Sequence, residues 1–166
     1  MLEQAVLIAR DMNEPEKIVG FAERGALLYR QNGSPESAGQ LLEKAAKILD
    51  ATNKFPDECL DLYMKAGDTV ANEDRQKEAP EYYGKAARIL AKSKKYDECA
   101  KVLRQAIALQ QEAGSARSCS AFASALVLVN LAREDSVAAT KAFNEFQGYI
   151  EQDPRQALQQ VIVVKC

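Results

Sequence analysis

The sequence KAAKIL at residues 44–49 recurs as KAARIL at residues 85–90, an offset of 41 positions. Downstream, DEC at residues 57–59 recurs as DEC at residues 97–99, an offset of 40 positions. The segment between the two motifs is therefore one residue shorter in the second copy. A loop tolerates such a loss and a helix interior does not, because its side chains would change face. Together the motifs define a repeat of about 40 residues.

Small or apolar residues recur at fixed positions when this frame is extended to four copies. The residues at the first position are Ile18, Cys59, Cys99 and Ala139. Four residues later they are Ala22, Tyr63, Leu103 and Phe143. Seven residues after the first position they are Gly25, Ala66, Ala106 and Phe146. Residues at i, i+4 and i+7 share one face of a helix, so we predict that this face is buried.

Proline, glycine and short polar segments divide each repeat into two helices joined by a turn. Gly33 ends one helix, and Ser34, Ser115 and Asp153 are candidate N-caps. Pro80 moves the start of the fifth helix toward Ala79. The predicted helices cover residues 2–12, 15–31, 35–52, 56–71, 76–93, 96–113, 116–132, 136–151 and 154–164.

Short connections make successive helices antiparallel neighbours. We therefore predict an all-α fold, a right-handed α-solenoid of antiparallel, tetratricopeptide-like hairpins with about eight or nine helices. No segment shows the alternation of apolar and polar residues that is typical of strands. We expect a single domain, with repeats over 1–34, 35–75, 76–115 and 116–152 and a partial hairpin over 153–166.

The composition argues against several classes of function. The chain has 166 residues, no histidine, and 22 basic against 24 acidic residues, a net charge of −2. Without histidine there is no Ser–His or Cys–His catalytic pair and no histidine zinc ligand. The charge balance argues against a broadly basic nucleic-acid binder. No calcium-loop or phosphate-loop motif is present, so we predict no catalytic site, no metal and no cofactor.

The cysteines and the apolar runs indicate where the protein resides. Cys59 and Cys99 occupy equivalent repeat positions, so we expect both to be buried, small core residues without a disulfide between them. The apolar runs at 125–129 and 161–164 are too short to span a bilayer, and the N-terminus does not resemble a secretory signal. We therefore expect a soluble, cytoplasmic protein.

Basic residues provide the candidate binding surface. Residues 76–117 contain nine Lys or Arg and five acids, a local charge of +4 that leaves −6 for the rest. Equivalent positions on stacked helices line up across a solenoid, which predicts a basic stripe on a solvated face. Its functional interpretation is a binding surface for an acidic, elongated partner. The alternative is an exposed face that only keeps the protein soluble. The proposed partner-binding residues are Lys44, Lys47, Lys85, Arg88 and Lys92.

With the hairpins assigned, the chain resembles the soluble NSF attachment proteins, most closely the gamma form. The resemblance is carried by ALLYRQNGSPESAGQLLEKAAKIL at 26–49, YYGKAARILAKSKKYDECA at 82–100 and ALVLVNLAREDSVAATKAF at 125–143. It implies an adaptor without a catalytic site that wraps assembled SNARE bundles, which are acidic-surfaced coiled coils of syntaxin type. Such adaptors recruit the ATPase N-ethylmaleimide-sensitive factor, which unwinds the bundle.

Members of that family are longer at both ends. Their N-terminal hairpins, with a membrane-contacting loop, would precede Met1, and their ATPase-engaging tail would follow Cys166. The resemblance therefore implies a fragment or a shortened relative. Peripheral membrane association and ATPase recruitment would belong to the full-length protein.

Two other functions remain open. One is a generic tetratricopeptide-like scaffold or chaperone adaptor. Its clamp for a peptide C-terminus needs Lys and Asn or Arg side chains in one concave groove. Lys85 and Asn130 are candidates, but no repeat supplies the full set. The other is a structural subunit without a dedicated ligand groove.

Overall fold

Every regular element that the structure describes is an α-helix. The structure is a computed structural model, and it describes residues 2–11, 14–71, 78–114, 116–150, 154–156 and 158–159. The helices are α1 (Leu2–Asp11), α2 (Pro15–Gln31), α3 (Pro35–Asp50), α4 (Pro56–Ala71), α5 (Ala79–Lys92), α6 (Tyr96–Glu112), α7 (Ala116–Ala132) and α8 (Ser136–Phe146). Residues 154–156 and 158–159 are also helical. The predicted all-α fold is confirmed.

The start of α5 and the end of α8 differ from the predicted ranges of 76–93 and 136–151. Helix α5 begins at Ala79, with Pro80 in its first turn, where the missing N–H of proline removes no hydrogen bond. Helix α8 ends at Phe146, five residues before the predicted end. The chain turns over Gln147 and Gly148, where the Tyr149 amide donates to the Phe146 carbonyl at 2.9 Å. Glycine is a poor helix former, which favours an end at this point.

The chain divides into two compact units, residues 1–89 and residues 90–166. In the first unit α1 packs on α2, α2 on α3, and α3 on α4. In the second unit α6 packs on α7, and α7 on α8. Each unit is therefore built from sequential helices in contact, joined by short connections, as expected for antiparallel helical hairpins. The predicted single domain and its repeat boundaries remain a prediction.

The repeat positions lie in the cores of these units. All twelve residues at the three aligned positions are buried, which confirms the predicted buried face. Cys59 and Cys99 are each 1% exposed, and both are free thiols, as predicted. The thiol of Cys59 donates to the Ala46 carbonyl at 3.2 Å, and burial raises the pKa of the Cys99 thiol. These cysteines are core residues of α4 and α6.

Helices α4 and α5 approach each other closely where α4 carries a glycine. A Cβ atom on Gly67 would lie only 2.7 Å from Cε1 of the Tyr83 ring. The hydroxyl of Tyr83 donates to the Asp68 carboxylate at 2.7 Å, which fixes the buried ring in place. Burial, followed by the contact with Asp68, raises the pKa of Tyr83. The absence of a side chain at Gly67 therefore allows Tyr83 to pack directly on the α4 backbone.

Within the described ranges, five helices are followed by a residue with left-handed backbone conformation. After α2 and α6 this residue is a glycine, Gly33 with φ of 69° and Gly114 with φ of 68°. After α3, α5 and α7 it is Asn53, Lys94 or Glu134, with φ between 52° and 62°. Gly33 therefore ends its helix as predicted.

The predicted N-caps have mixed outcomes. Ser34 stands at the N-cap of α3, but its side chain makes no capping hydrogen bond. Ser115 and Asp153 lie outside the described residues. Asp135 was not predicted as a cap, yet its side chain accepts a hydrogen bond from the Ala138 amide at 2.8 Å. This contact stabilises the start of α8.

Candidate partner-binding surface on α3 and α5

The predicted basic residues are on two helices. Lys44 and Lys47 lie one turn apart on α3, and Lys85 and Arg88 lie one turn apart on α5. Lys44, Lys47 and Arg88 are exposed, whereas Lys85 is only 25% exposed. Lys92, the last residue of α5, is exposed and falls in the unit of residues 90–166. The structure thus brings Lys47 of α3 and Lys85 of α5 together. We use the name basic surface for Lys44, Lys47, Lys85 and Arg88.

A carboxylate that the sequence analysis did not consider lies between the two helices. Glu43 of α3 forms an ion pair with Lys47, four residues later, at 2.9 Å. The same Oε1 atom of Glu43 accepts a hydrogen bond from the ammonium group of Lys85 on α5. The Glu43 side chain is 16% exposed, so this contact lies largely out of water. One acid therefore partly neutralises two of the four basic residues.

The electrostatics of Glu43 follow from these contacts. Partial burial tends to raise the pKa of the Glu43 carboxyl, but the hydrogen bonds and charges of Lys85 and Lys47 outweigh it, so the pKa is lowered. The Lys85 ammonium also lies 5.6 Å from the centroid of the Tyr82 ring, within the range of a cation–π interaction. Lys85 is thus held by an anion and by an aromatic face. The prediction that the whole basic stripe is solvated is wrong for Lys85, because α3 and α5 pack around it.

The sequence contains a signal for this internal pairing, a row of acids on α3. Glu36, Glu43 and Asp50 are spaced by seven residues, and this spacing places them near one side of a helix. Glu43 also precedes Lys47 by four residues, the favourable order for a helical ion pair. The acidic row on α3 therefore indicates internal partners for the neighbouring lysines.

Ion pairs between helices one repeat apart recur in the chain. In the first unit, Lys65 of α4 contacts Glu23 of α2 and Asp61 of its own helix, both at 2.5 Å. The hydrogen bonds from Lys65 to Asp61 and Glu23 raise the pKa of the Lys65 ammonium. In the second unit, Arg104 of α6 contacts Glu145 of α8 at 3.0 Å. Charged side chains at the repeat offset are therefore used for internal pairing as well as for solvation.

Other candidate groups are placed as follows. Asp57 and Glu58 lie in the first turn of α4, and Asp97 and Glu98 lie in the first turn of α6, where carboxylates are favourable. The described part of the chain contains no group of three or more side chains suited to hold a metal ion.

Asn130 is 3% exposed and donates its amide to the Leu126 carbonyl at 3.0 Å. That amide is used within α7 and is not presented in a groove.

No helix within the described ranges is sufficiently long and apolar to pass through a bilayer.

Comparisons with known proteins agree on family and fold. The family model described as "Soluble NSF attachment protein, SNAP" matches residues 3–166. A gamma-soluble NSF attachment protein of Arabidopsis thaliana is 26% identical over 145 residues, which cover 87% of this chain and 49% of the plant protein. Its namesake in Dictyostelium discoideum is 24% identical over 152 residues, which cover 89% of this chain and 45% of that protein. The chain thus spans about half the length of the curated relatives it matches.

A solved structure supports the fold alone. A putative kinesin light chain from Podosopora anserina, with nearly identical TPR-like repeats, superposes with a TM-score of 0.61 at 14% identity. The match covers 99% of this chain and 83% of that one. The predicted tetratricopeptide-like α-solenoid is therefore confirmed.

Proposed function

Because the chain belongs to the soluble NSF attachment protein family, we propose that it is a non-catalytic adaptor in vesicle-mediated protein transport. In this proposal it binds assembled SNARE complexes and links them to the NSF ATPase, which disassembles them. The names of the curated relatives support an attachment role, and the tetratricopeptide-like fold supports the coarser function of a protein-interaction scaffold. Peripheral attachment to membranes from the cytoplasmic side is part of the same proposal.

The observation that carries the proposal is the basic surface. Lys44, Lys47 and Arg88 are exposed on helices that the Glu43–Lys85 contact holds together. A coiled-coil bundle with an acidic exterior presents rows of carboxylates, which would be complementary in charge to this surface. Lys92, one turn beyond Arg88 on α5, is proposed as a further contact. Such contacts are wet charge pairs, and each contributes only about 0.2–1 kcal/mol.

The test reverses the charge of the exposed part of the surface and neutralises Lys85, which is partly buried. We expect the variant Lys44→Glu, Lys47→Glu, Arg88→Glu and Lys85→Gln to bind an assembled SNARE bundle at least about tenfold more weakly, because attraction is replaced by repulsion. Lys85 is changed to Gln because a carboxylate at this partly buried position would repel Glu43 across the α3–α5 contact, whereas a carboxylate at the 59% exposed position 47 can turn toward solvent. Binding is measured by titration calorimetry in about 0.05 M salt, and circular dichroism verifies the helix content.

A matched control changes the same net charge elsewhere. Arg24, Lys101 and Lys141 are exposed and are changed to Glu, and the exposed Arg30 is changed to Gln. This control is expected to bind within about threefold of the parent. Raising the salt to about 0.3 M should weaken the parent complex, because exposed charges are then screened over a shorter distance. If the folded surface variant binds as tightly as the parent, the surface only serves solubility; if the parent does not bind, the adaptor function is wrong.

A further inference from the structure

The basic surface contains its own acidic competitor. Glu43 contacts the ammonium groups of Lys47 and Lys85 through the same carboxylate oxygen. An acidic partner that approaches this surface therefore meets two lysines that already have an anion. To pair with them fully, it must share or displace the Glu43 carboxylate.

The two lysines are held by Glu43 to different degrees. Lys47 is 59% exposed, so its side chain can rotate into solvent and change partner. Lys85 is 25% exposed and lies over the Tyr82 ring, so its ammonium group has less freedom to leave. The pairing of Glu43 with Lys85 also joins α3 to α5. Removing the Glu43 charge would therefore release positive charge at the surface and weaken a contact between two helices.

We propose that Glu43 is a specificity-determining residue that limits the affinity of the basic surface for acidic helical bundles, because it competes with the partner's carboxylates for Lys47 and Lys85. This inference rests on the proposed SNARE-binding function. An isolated carboxylate on another protein gains little at such a surface, since it meets lysines that are already partly neutralised. A bundle with several carboxylates in a row can engage Lys44, Lys47 and Arg88 together. The internal acid thus favours extended acidic partners over single charges.

The test removes the charge of Glu43 and keeps the shape of its side chain. We expect Glu43→Gln to bind an assembled SNARE bundle about three- to tenfold more tightly than the parent at about 0.05 M salt, as expected when one or two surface charge pairs become available to the partner. The same variant should have a lower melting temperature, because the α3–α5 ion pair is lost. Tighter binding together with lower stability distinguishes competition from a purely structural role, in which loosening the helices would weaken binding.

A matched control separates the local effect from that of net charge. Glu81 is an exposed acid on α5 and forms no ion pair with Lys47 or Lys85 in the part of the chain that the structure describes. Glu81→Gln changes the net charge by the same amount and should bind within about twofold of the parent. An equal gain in Glu81→Gln and Glu43→Gln would overturn the inference, and so would unchanged or weaker binding by Glu43→Gln.

A second probe distinguishes this inference from the proposed function. A poly-glutamate peptide is titrated against the parent, Glu43→Gln and Glu81→Gln. If the parent does not bind the SNARE bundle but Glu43→Gln binds poly-glutamate more tightly than the parent and Glu81→Gln, the function is wrong and the competition is supported. If Glu43→Gln does not fold, Glu43→Asp keeps the charge but shortens its reach toward Lys85. That variant is expected to bind about twofold more tightly, and a failure to do so would contradict the inference.

Discussion

Residues 1–89 and residues 90–166 each contain an ion pair between helices one repeat apart, but in different surroundings. Glu43 and Lys85 are 42 positions apart, and their side chains are 16% and 25% exposed. Arg104 and Glu145 are 41 positions apart, and their side chains are 43% and 42% exposed. The repeat geometry produces a pair in both units, whereas local packing decides how much each pair contributes. Surface pairs contribute little, and partial burial makes the loss of one partner more costly.

Substitutions in the cores of the two units are expected to cost similar amounts of unfolding free energy, whereas the loss of their ion pairs is expected to cost different amounts. Cys59 of α4 and Cys99 of α6 occupy the same repeat position, and each is 1% exposed. Replacing either with Arg should cost about 3–5 kcal/mol of unfolding free energy, because it buries an unpaired charge. Replacement with Ala should cost only about 1 kcal/mol. Urea denaturation of the four variants measures this, and an Arg variant of either cysteine that is as stable as its Ala counterpart would refute the shared core position.

A second difference between the units is the size of the residue at one buried position of the repeat. Gly67 of α4 corresponds to Ile107 of α6, 40 residues later, and both are buried. We expect Gly67→Ala to cost about 1–3 kcal/mol, because its Cβ would lie 2.7–3.0 Å from three atoms of the Tyr83 ring. The control is Gly20→Ala on α2, where the new Cβ would have no heavy atom within 4 Å among the described residues, apart from the neighbouring backbone of its own helix. This control should gain about 0.5–1 kcal/mol from helix propensity. A stabilising Gly67→Ala in thermal unfolding would show that Tyr83 can move aside.

Features of the fold with local or periodic determinants could be predicted from the sequence. The positions of Cys59, Cys99 and Ala139 followed from the repeat, because a helix of 3.6 residues per turn places i, i+4 and i+7 on one face. The left-handed turn at Gly33 followed from glycine chemistry. Each of these features depends on the local chain or on a period that can be counted along it.

Contacts that depend on how two helices pack against each other could not be predicted from the sequence. The Gly67–Tyr83 contact and the partial burial of Lys85 depend on the distance between helices, which a pattern along the chain does not specify. The role of Glu43 was partly readable, because its spacing to Lys47 is that of a helical ion pair. Its second partner, Lys85, required the structure.

The smallest expected effects concern the two ion pairs themselves. Double-mutant cycles of Glu43→Gln with Lys85→Gln and of Arg104→Gln with Glu145→Gln measure the coupling energy of each pair. We expect about 1 kcal/mol for Glu43–Lys85 and about 0.3 kcal/mol for Arg104–Glu145, since the second pair is more exposed and more strongly hydrated. Added salt at about 0.5 M should reduce the Arg104–Glu145 coupling proportionally more. Equal couplings would show that burial does not distinguish the two regions.

The pH dependence of stability gives an independent measurement of what the Glu43 charge contributes to the fold. The pKa of Glu43 is lowered in the folded protein from its ordinary value of 4.5, because the opposing effect of burial is outweighed by its hydrogen bonds and charge interactions with Lys85 and Lys47. A carboxyl whose folded pKa is depressed stabilises the fold above its unfolded pKa and loses that stabilisation as the pH falls through the folded pKa. The stability advantage of the parent over Glu43→Gln should therefore be constant near neutral pH and should shrink below about pH 4.5. Urea midpoints of both proteins between about pH 3 and 7 measure this. An advantage that persists unchanged at the acidic end would show that the Glu43 side chain acts through its shape and not through its charge.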